Sequence, residues 1–448
     1  MKPFTLEEIA AACGGTYVGS QAEKKTVITS VERDSRQIKN GSLFLAIRGE
    51  RVDGHDYILK CYDSGAVCAI CEKAPETDKP YILVPSTLEA VKKIGKAYRE
   101  KFDIPIVGVS GSVGKTSTKE MLYAVLSQKF KTHKTQGNLN NELGVPLTLL
   151  SMPEDAQAAV IEMGISDFGE MTRLSEMVQP TVCVLTIIGS CHLENLGDRD
   201  GVLKAKTEMF CHAREGAAYI LNGDDDKLSS IKSVGNTTSI FFGLGEGNRY
   251  HAENIQNNGE GGVGCTLCFD GKRIDVTIPA IGSYMVSNAL AAVAAGNLLG
   301  LNEDQLKKGV EAYKTVGSRA NVINTGKIRI IDDCYNANPT SVKASLDTLM
   351  NFDGRKIAIL GDMKELGANE LALHFDTGAY AKELGIDVVI AVGPLAKELA
   401  KGADGKWFAT LAEAKKALPN VIQEGDTVLV KASHSMQFEN ITAFLKQI

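Results

Sequence analysis

One glycine-rich stretch restricts the possible folds of this chain more than any other. The run Ile106–Ser110 leads into Gly111-Ser-Val-Gly-Lys-Thr-Ser117, and an amphipathic helical pattern follows at once. A strand, a glycine turn and a helix N-terminus in this order point backbone N–H groups at one spot, which favours phosphate. Lys115 would add a mobile positive charge there, and the Thr116 hydroxyl suits Mg²⁺. The stretch therefore predicts an α/β domain with a nucleotide phosphate site.

The spacing within this loop departs from the general nucleotide-binding pattern. That pattern is G-x-x-x-x-G-K-[ST], but Val109 stands where its first glycine belongs. The shorter G-x-x-G-K-T that remains is also compatible with a plain glycine turn and an exposed lysine. The flanking strand and helix favour phosphate binding, because that context is what confirms such a motif.

Length and composition set the class of protein. A chain of 448 residues is too long for one ordinary core, so about two or three domains are expected. The net charge of −6 and the lack of a Lys/Arg block argue against a nucleic-acid surface. The apolar stretch Ala289–Leu299 is too short to span a bilayer, and the first residues lack an apolar signal core. We therefore expect a cytoplasmic protein without membrane insertion.

Two cysteine pairs have the spacing of zinc ligands. Cys68-x-x-Cys71 and Cys265-x-x-Cys268 lie far apart in the chain, each within a β-like run. We expect reduced, mostly buried thiols at these positions rather than structural zinc.

Breaks in the pattern of predicted helices and strands divide the chain into three units. Asp103-Ile-Pro105 ends a helix, and a new series of strands and helices starts near Val316. We predict domains at 1–102, 103–316 and 317–448. Alternating strands and helices predict mostly parallel sheets, covered on both faces, in the second and third domains. Within the second, Ser239–Asp275 predicts a small antiparallel patch. Its Gly259-x-Gly261-x-x-Gly264 precedes a strand, so it predicts a hairpin loop rather than a dinucleotide site.

Polar residues follow several apolar strands, where α/β proteins bind ligands. Glu162 ends one strand of the second domain and is placed to hold Mg²⁺, although a capping or ion-paired carboxylate fits equally well. His192 follows the next strand, where a structural, hydrogen-bonded histidine is the alternative to a metal ligand. In the third domain the strand ends are similarly polar, which predicts a second ligand-handling domain.

Short motifs in a fixed order span the whole chain, and together they resemble the Mur ligase family. The most specific are Asp332-Asp-Cys-Tyr-Asn-Ala-Asn-Pro339 and Leu360-Gly-Asp-Met-Lys-Glu-Leu-Gly367. The others are the glycine loop, Gly137-Asn-Leu-Asn-Asn-Glu142, Glu162-Met-Gly164, His192-Leu-Glu-Asn-Leu-Gly197, Ala205-Lys-Thr-Glu208, Ser287-Asn-Ala-Leu-Ala-Ala292 and Val430-Lys-Ala-Ser433.

The resemblance implies a three-domain α/β architecture. Its N-terminal domain would bind a UDP-linked substrate, its central P-loop-type domain ATP, and its C-terminal Rossmann-like domain an incoming dipeptide. It implies an ATP- and Mg²⁺-dependent ligase that joins D-alanyl-D-alanine to UDP-N-acetylmuramoyl-tripeptide through an acyl phosphate, in peptidoglycan precursor synthesis. The alternatives are a folate polyglutamate-type ligase, which shares the ATPase core, and a protein that uses the nucleotide as a conformational switch. We expect a monomer.

The resemblance also assigns site residues. It makes Lys115, His192 and Lys206 catalytic, with Lys206 carbamylated; an exposed lysine paired with Glu208, or Lys204 in its place, are the alternatives. The expected nucleotide-binding residues are Gly111, Ser112, Val113, Gly114, Lys115, Thr116, Ser117, Asn288, Arg319 and Asp333. The expected metal ligands are Thr116, Glu162 and His192. The expected substrate-binding residues are Ser35, Arg36, Asp53, His55, Asn138, Asn141, Glu142, Asn336, Asn338, Lys431 and Ser433.

Two parts of this assignment depend on the resemblance alone or depart from it. The charged N-terminal residues around Arg36 and Asp53 fit solvated turns equally well. The family's last motif often reads Lys-Gly-Ser-Arg, whereas here it is Lys431-Ala-Ser-His434. A histidine cannot clamp a carboxylate with two parallel hydrogen bonds as an arginine does, so no dipeptide-binding role is carried over to position 434.

Overall fold

The computed structural model describes residues 1–49 and 51–448. In that part of the chain the strands form three large sheets, one after another in sequence, and a two-stranded ribbon. Most strand pairs in the large sheets are parallel, so the prediction of an α/β fold with mostly parallel sheets is confirmed. The domain boundaries at residues 102 and 316 stay predictions.

The N-terminal sheet has the strand order β1-β5-β4-β3-β2, and its pairs are parallel except β1 with β5. Its elements are α1 (Leu6–Cys13), β1 (Thr16–Val18), β2 (Ser30–Glu32), β3 (Ser42–Leu45), α2 (Ile58–Asp63), β4 (Ala66–Cys71), β5 (Tyr81–Leu83) and α3 (Thr87–Arg99).

The central sheet has the order β16-β15-β14-β13-β10-β9-β6-β8-β7, and β11 pairs with β12 in the separate ribbon. The elements of this unit are β6 (Ile106–Ser110), α4 (Lys115–Leu126), β7 (Thr132–Lys134), α5 (Gly144–Leu150), β8 (Ala158–Glu162), α6 (Glu170–Val178), β9 (Val182–Leu185), α7 (Leu193–Leu196), α8 (Arg199–Thr207), β10 (Ala218–Asn222), β11 (Ser233–Val234), β12 (Thr237–Thr238), β13 (Ile240–Phe242), β14 (Tyr250–Asn257), β15 (Val263–Phe269), β16 (Lys272–Ile278), α9 (Tyr284–Leu298) and α10 (Glu303–Glu311).

The predicted antiparallel patch is the pair of hairpins β14–β15–β16. It extends the parallel sheet instead of standing alone, because Tyr250 pairs with Phe242 of β13. The glycine-rich segment at 259–262 is the predicted hairpin loop. Gly262 has a φ of 84°, and a Cβ there would lie 2.1 Å from the Ile278 carbonyl oxygen, so this turn requires glycine.

Alternate residues of the central strands pack into two different apolar cores. Ile161 and Leu185 face a core shared with α3 and α6, whereas Val107 and Val184 face α4 and α9. Both faces of the sheet are therefore covered, as predicted for parallel strands. Open α/β sheets of this kind bind ligands at the carboxyl ends of their strands.

The C-terminal sheet has the order β17-β18-β22-β19-β20-β21, and only the β17–β18 pair is antiparallel. Its elements are β17 (Asn321–Asn324), β18 (Arg329–Asp332), α11 (Pro339–Met350), β19 (Lys356–Gly361), α12 (Glu370–Glu383), β20 (Val388–Val392), α13 (Ala396–Ala403), β21 (Lys406–Phe408), α14 (Leu411–Ala417), β22 (Thr427–Lys431) and α15 (Glu439–Leu445).

Among the described residues, no helix combines the length and the apolar composition that a bilayer crossing requires.

Candidate active site

The glycine loop between β6 and α4 takes a shape that only glycine allows at two positions. Gly111 has a φ of 148°, and a Cβ there would lie 1.9 Å from Thr186 Oγ1. Gly114 has a φ of 83° and directly precedes α4. Thr186, just after β9, donates a hydrogen bond of 2.5 Å to the Val113 carbonyl oxygen. The neighbouring strand end thus fixes the loop that presents the N-terminus of α4.

Lys115 lies folded back over this loop. Its Nζ donates a hydrogen bond of 2.7 Å to the Gly111 carbonyl oxygen. Desolvation by the surrounding protein lowers the pKa of Lys115. An anion placed in the loop would favour the charged ammonium, so this environment suits a phosphate.

Thr116 and Glu162 meet at the mouth of the loop. The Thr116 hydroxyl lies 3.0 Å from Glu162 Oε2, and the Asn140 amide donates to Glu162 Oε1 at 2.8 Å. Lys119 Nζ lies 3.7 Å from the same carboxylate, which is only 1% exposed. The hydroxyl and carboxylate oxygens are donors that Mg²⁺ prefers. Glu162 is also the ion-paired carboxylate that the sequence left as an alternative.

His192 lies at the junction with the C-terminal unit. Its Nδ1 is 2.5 Å from Glu365 Oε2, and the nearby imidazole lowers the pKa of that carboxyl. Both residues have left-handed backbone angles, with φ of 52° at His192 and 65° at Glu365. Such strain persists only where surrounding structure holds it, and it is common at functional sites.

Lys206 is fully buried in α8. Its Nζ has no hydrogen-bond partner among the described residues. Burial, helped by the nearby charge of Lys115, lowers the pKa of Lys206 to about 8. Glu208 does not pair with it, since that carboxylate accepts hydrogen bonds from the Gly169 and Thr172 backbone. The competing residue Lys204 is exposed.

A cavity of about 590 Å³ is lined by the glycine loop and by residues at the strand ends of the C-terminal unit. Arg319 stacks on the Tyr335 ring at 3.7 Å, and Asp333 Oδ2 accepts from Lys431 Nζ at 2.6 Å. Asn288 accepts from Thr118 Oγ1 at 3.0 Å. The cavity lining includes these predicted residues: Ser112, Val113, Gly114, Lys115, Thr116, Ser117, Asn141, Glu162, His192, Asn288, Arg319, Asp333, Asn336, Asn338 and Lys431.

Two predicted residues of the C-terminal unit have structural contacts. Ser433 does not line the cavity, and its Oγ accepts from the Lys364 backbone N–H at 2.9 Å. Asn338 lines it but also caps α11, accepting from the Ser341 N–H at 2.8 Å. An asparagine followed by proline is a signal for such a cap that the sequence analysis did not use.

The N-terminal unit contributes a second cavity of about 1070 Å³. Ser35, Arg36 and Glu142 line it, and Arg36 forms an ion pair with Asp34 at 2.7 Å. It is also lined by basic residues that are not among the predicted substrate-binding residues and that lie too far apart in the chain for the sequence alone to bring them together: Arg33, Arg48, Lys60 and Lys92.

Other predicted substrate residues lie beside this cavity. Asp53 and His55 do not line it; they pair with each other at 2.6 Å, while His55 Nε2 accepts from the Glu72 N–H. Asn138 is exposed outside both cavities. Asn141 and Glu170 line both cavities, so the two are adjacent and share a wall.

Comparison with known proteins decides the family. Three family models match in sequence order: the Mur ligase family catalytic domain over residues 27–110, the Mur ligase middle domain over 109–296, and the Mur ligase glutamate ligase domain over 318–434. A Bacillus subtilis protein named UDP-N-acetylmuramoyl-tripeptide–D-alanyl-D-alanine ligase is 36% identical, covering 98% of this chain and 97% of its own. This chain belongs to the Mur ligase family.

Solved structures of Mur ligases have the same architecture. A crystal structure of MurF from Acinetobacter baumannii superposes with a TM-score of 0.93 at 33% identity and covers 100% of both chains. A MurF ligase from Thermotoga maritima in complex with ADP has a TM-score of 0.83 at 30% identity, covering 93% of this chain and 97% of that one. The predicted Mur ligase fold is confirmed.

Proposed function

We propose that this Mur ligase uses ATP and Mg²⁺ to join D-alanyl-D-alanine to UDP-N-acetylmuramoyl-tripeptide. The observation that supports this most is the shared wall at Asn141 and Glu170, since it lets one long substrate reach from the N-terminal cavity to the phosphate loop. The relatives named for this activity cover nearly the whole chain. The free thiols of all ten cysteines, each in the described chain, fit a reducing cytoplasm.

The reaction has two steps. The terminal carboxylate of the tripeptide attacks the γ-phosphorus of ATP, which gives an acyl phosphate and releases ADP. The amine of D-alanyl-D-alanine then attacks the acyl carbon, and inorganic phosphate leaves as the amide forms. Phosphoryl transfer depends mostly on positioning and charge neutralisation, which the loop N–H groups, Lys115 and Arg319 would supply.

The donor set at the loop fits a magnesium ion. Thr116 and Glu162 already place their oxygens together beside the loop, and they would hold the ion. Bound Mg²⁺ would neutralise phosphate charge. His192 is proposed as a ligand for a second ion through Nε2, since its Nδ1 pairs with Glu365 and that contact would orient the ring.

The buried Lys206 is proposed to be carbamylated. Its neutral amine would attack CO₂, forming an N–C bond and losing one proton to give a carbamate anion. Two observations support this: the Nζ atom has no hydrogen-bond partner in the described chain, and its lowered pKa increases the neutral fraction. A carbamate would also remove a positive charge near Lys115 and offer hard oxygens to a cation.

One assay separates this function from its alternatives. Phosphate release should require ATP, the UDP-muramoyl-tripeptide and D-alanyl-D-alanine together, and mass spectrometry should find the pentapeptide product. A folate polyglutamate-type ligase would instead respond to a folate and glutamate. A nucleotide switch would hydrolyse ATP equally without either substrate, which would reject the proposal.

A further inference from the structure

The outer face of the hairpins β14–β16 holds a cluster of metal-binding side chains outside both cavities. His251 of β14 pairs across the strands with Cys268 of β15, and Glu253 lies two residues further along the same face. One donor atom from each lies within 4.8 Å of the other two. The opposite face, which includes Leu267, packs into the central core.

The cluster includes one cysteine of the Cys265-x-x-Cys268 pair, whose spacing is that of zinc ligands. Cys265 and Cys268 are three residues apart in a strand, so their side chains point to opposite faces. Cys265 lies in the apolar core. The two thiols therefore cannot bind one ion together. The second potential ligand beside Cys268 is His251, its partner on the neighbouring strand.

We propose that His251, Glu253 and Cys268 form an accessory site for a divalent cation of the zinc class. Nitrogen, carboxylate and sulfur donors in one site select zinc-like ions over Mg²⁺. His251 Nε2 and Glu253 Oε1 are 3.7 Å apart, close to the ~3.4 Å that metal–ligand bonds of about 2.0–2.2 Å set at tetrahedral angles. Three protein ligands leave a fourth position for water.

The surroundings of two ligands are already those of a metal site. His251 Nδ1 lies 3.1 Å from the Asn248 carbonyl oxygen, which can only accept, so in the neutral imidazole Nδ1 carries the proton and Nε2 is the nitrogen that can bind a metal. Arg273 donates to both Glu253 oxygens, at 3.2 and 2.6 Å, and orients that carboxylate. Its positive charge also limits how tightly the site would hold a cation.

Binding would release a proton from Cys268. The thiol is 4% exposed, and a cysteine binds a metal ion only as the thiolate, so the cation replaces the thiol proton. The sulfur–metal bond forms as the sulfur–hydrogen bond breaks, and the proton goes to solvent. Ion and thiolate together then leave this face more positive by one unit.

Cobalt titration of the full-length, metal-stripped protein tests the site. Co²⁺ should produce a thiolate-to-cobalt charge-transfer absorption at one equivalent, and added Zn²⁺ should abolish it. Cys268→Ser should lose the absorption, and His251→Gln and Glu253→Gln should each weaken binding about tenfold or more. Cys211→Ser is the matched control, because Cys211 is exposed and outside the cluster, and it should leave the absorption unchanged.

Two results would overturn the proposal. One is the absence of a cobalt–thiolate absorption in the unmodified protein. The other is an absorption that persists unchanged in both Cys268→Ser and His251→Gln. Circular dichroism checks the fold of each variant, and the more exposed His251 carries the test if replacement of the buried Cys268 prevents folding. Ligase activity in Mg²⁺ alone should be the same in all these variants, since the cluster is outside both cavities.

Discussion

Two charged side chains of this Mur ligase, Glu162 in the cavity at the phosphate loop and Arg36 in the N-terminal cavity, are held in opposite ways. Around the phosphate loop, Glu162 is 1% exposed and has fixed partners in Thr116 and Asn140. In the N-terminal cavity the Arg36 side chain is 84% exposed and pairs with Asp34, its neighbour in sequence. The first arrangement is buried and fully bonded, and the second is open to solvent.

This difference assigns the two cavities different tasks. Exposed ion pairs contribute little stability, so Arg36 can exchange its partner for a substrate phosphate at low cost. Buried charges are costly to separate, so the groups at the loop stay in place before the substrates arrive. We therefore expect substitutions at the loop to reduce turnover, and substitutions in the N-terminal cavity to weaken substrate binding.

Loss of Lys115 should have the largest effect. Lys115→Ala should lower kcat by about 10²–10³-fold, because it removes a positive charge that stabilises the transferring phosphoryl group. Steady-state phosphate release measures this, with circular dichroism to check the fold. Lys131→Ala is the control, since Lys131 pairs with Asp155 at the surface and should have no effect. Turnover near normal in Lys115→Ala would remove Lys115 from the phosphate site.

Replacing Lys206 should have the next largest effect. Lys206→Ala should lose about 10–100-fold in activity, and short carboxylic acids should restore part of it by supplying the missing anion. Lys204→Ala, two residues away in α8 and exposed, should behave as the unmodified protein. Full activity without rescue, together with a plain lysine in high-resolution density, would contradict the carbamate.

The same lysine gives a pH test. Its pKa is lowered to about 8, so the reactive neutral amine is the minor form at pH 7 and half of the total at pH 8. Protein freed of CO₂ should therefore regain activity several-fold faster at pH 8 than at pH 7 when the concentration of dissolved CO₂, rather than of total bicarbonate, is held equal at the two pH values. A rate that stays constant or falls with rising pH would exclude this amine as the acceptor.

Arg319 tests the junction between the central and C-terminal units. Arg319→Ala should raise the KM for ATP and lower kcat, each about tenfold, if the guanidinium neutralises phosphate from across the cavity as proposed. Lys314→Ala, at an exposed position nearby, is the control. Unchanged KM and kcat would show that Arg319 does not contact the nucleotide.

The smallest effect should come from the N-terminal cavity. Arg36→Ala should raise the KM for the UDP-linked substrate about fivefold and leave kcat unchanged, because its contact is made equally before and during the reaction. Lys39→Ala, exposed outside the cavity, should change neither constant. A fall in kcat without a change in KM would break the division of tasks between the cavities.

The sequence predicted this fold best where local signals are strong. The strand predicted at Ile106–Ser110 has those bounds in the structure, because a buried apolar run that ends in a glycine turn has few alternatives. The short edge strand Asn321–Asn324 was not predicted, since its pairing with β18 is a tertiary contact. Local propensity gives little information about such strands.

The candidate site also combines features that residue types predict with features that depend on tertiary packing. The loop glycines follow from residue types alone, because positive φ angles require them. The isolation of the Lys206 amine depends on how α8 packs, which a linear pattern does not record. For Arg36 and Asp53, solvated turns and substrate contacts have the same sequence signal, so only the resemblance favoured one of them.

The wall shared at Asn141 and Glu170 has a consequence for substrate choice. If the uridine end is fixed in one cavity and the phosphate loop is fixed in the other, the covalent length of the substrate becomes a recognition element. One extended residue spans about 3.3–3.6 Å. The terminal carboxylate of a stem peptide one residue shorter would therefore lie about 3.3–3.6 Å short of the position that it needs beside the γ-phosphate. The protein would thus select its substrate by length, and an incomplete stem peptide would not react even though no contact repels it.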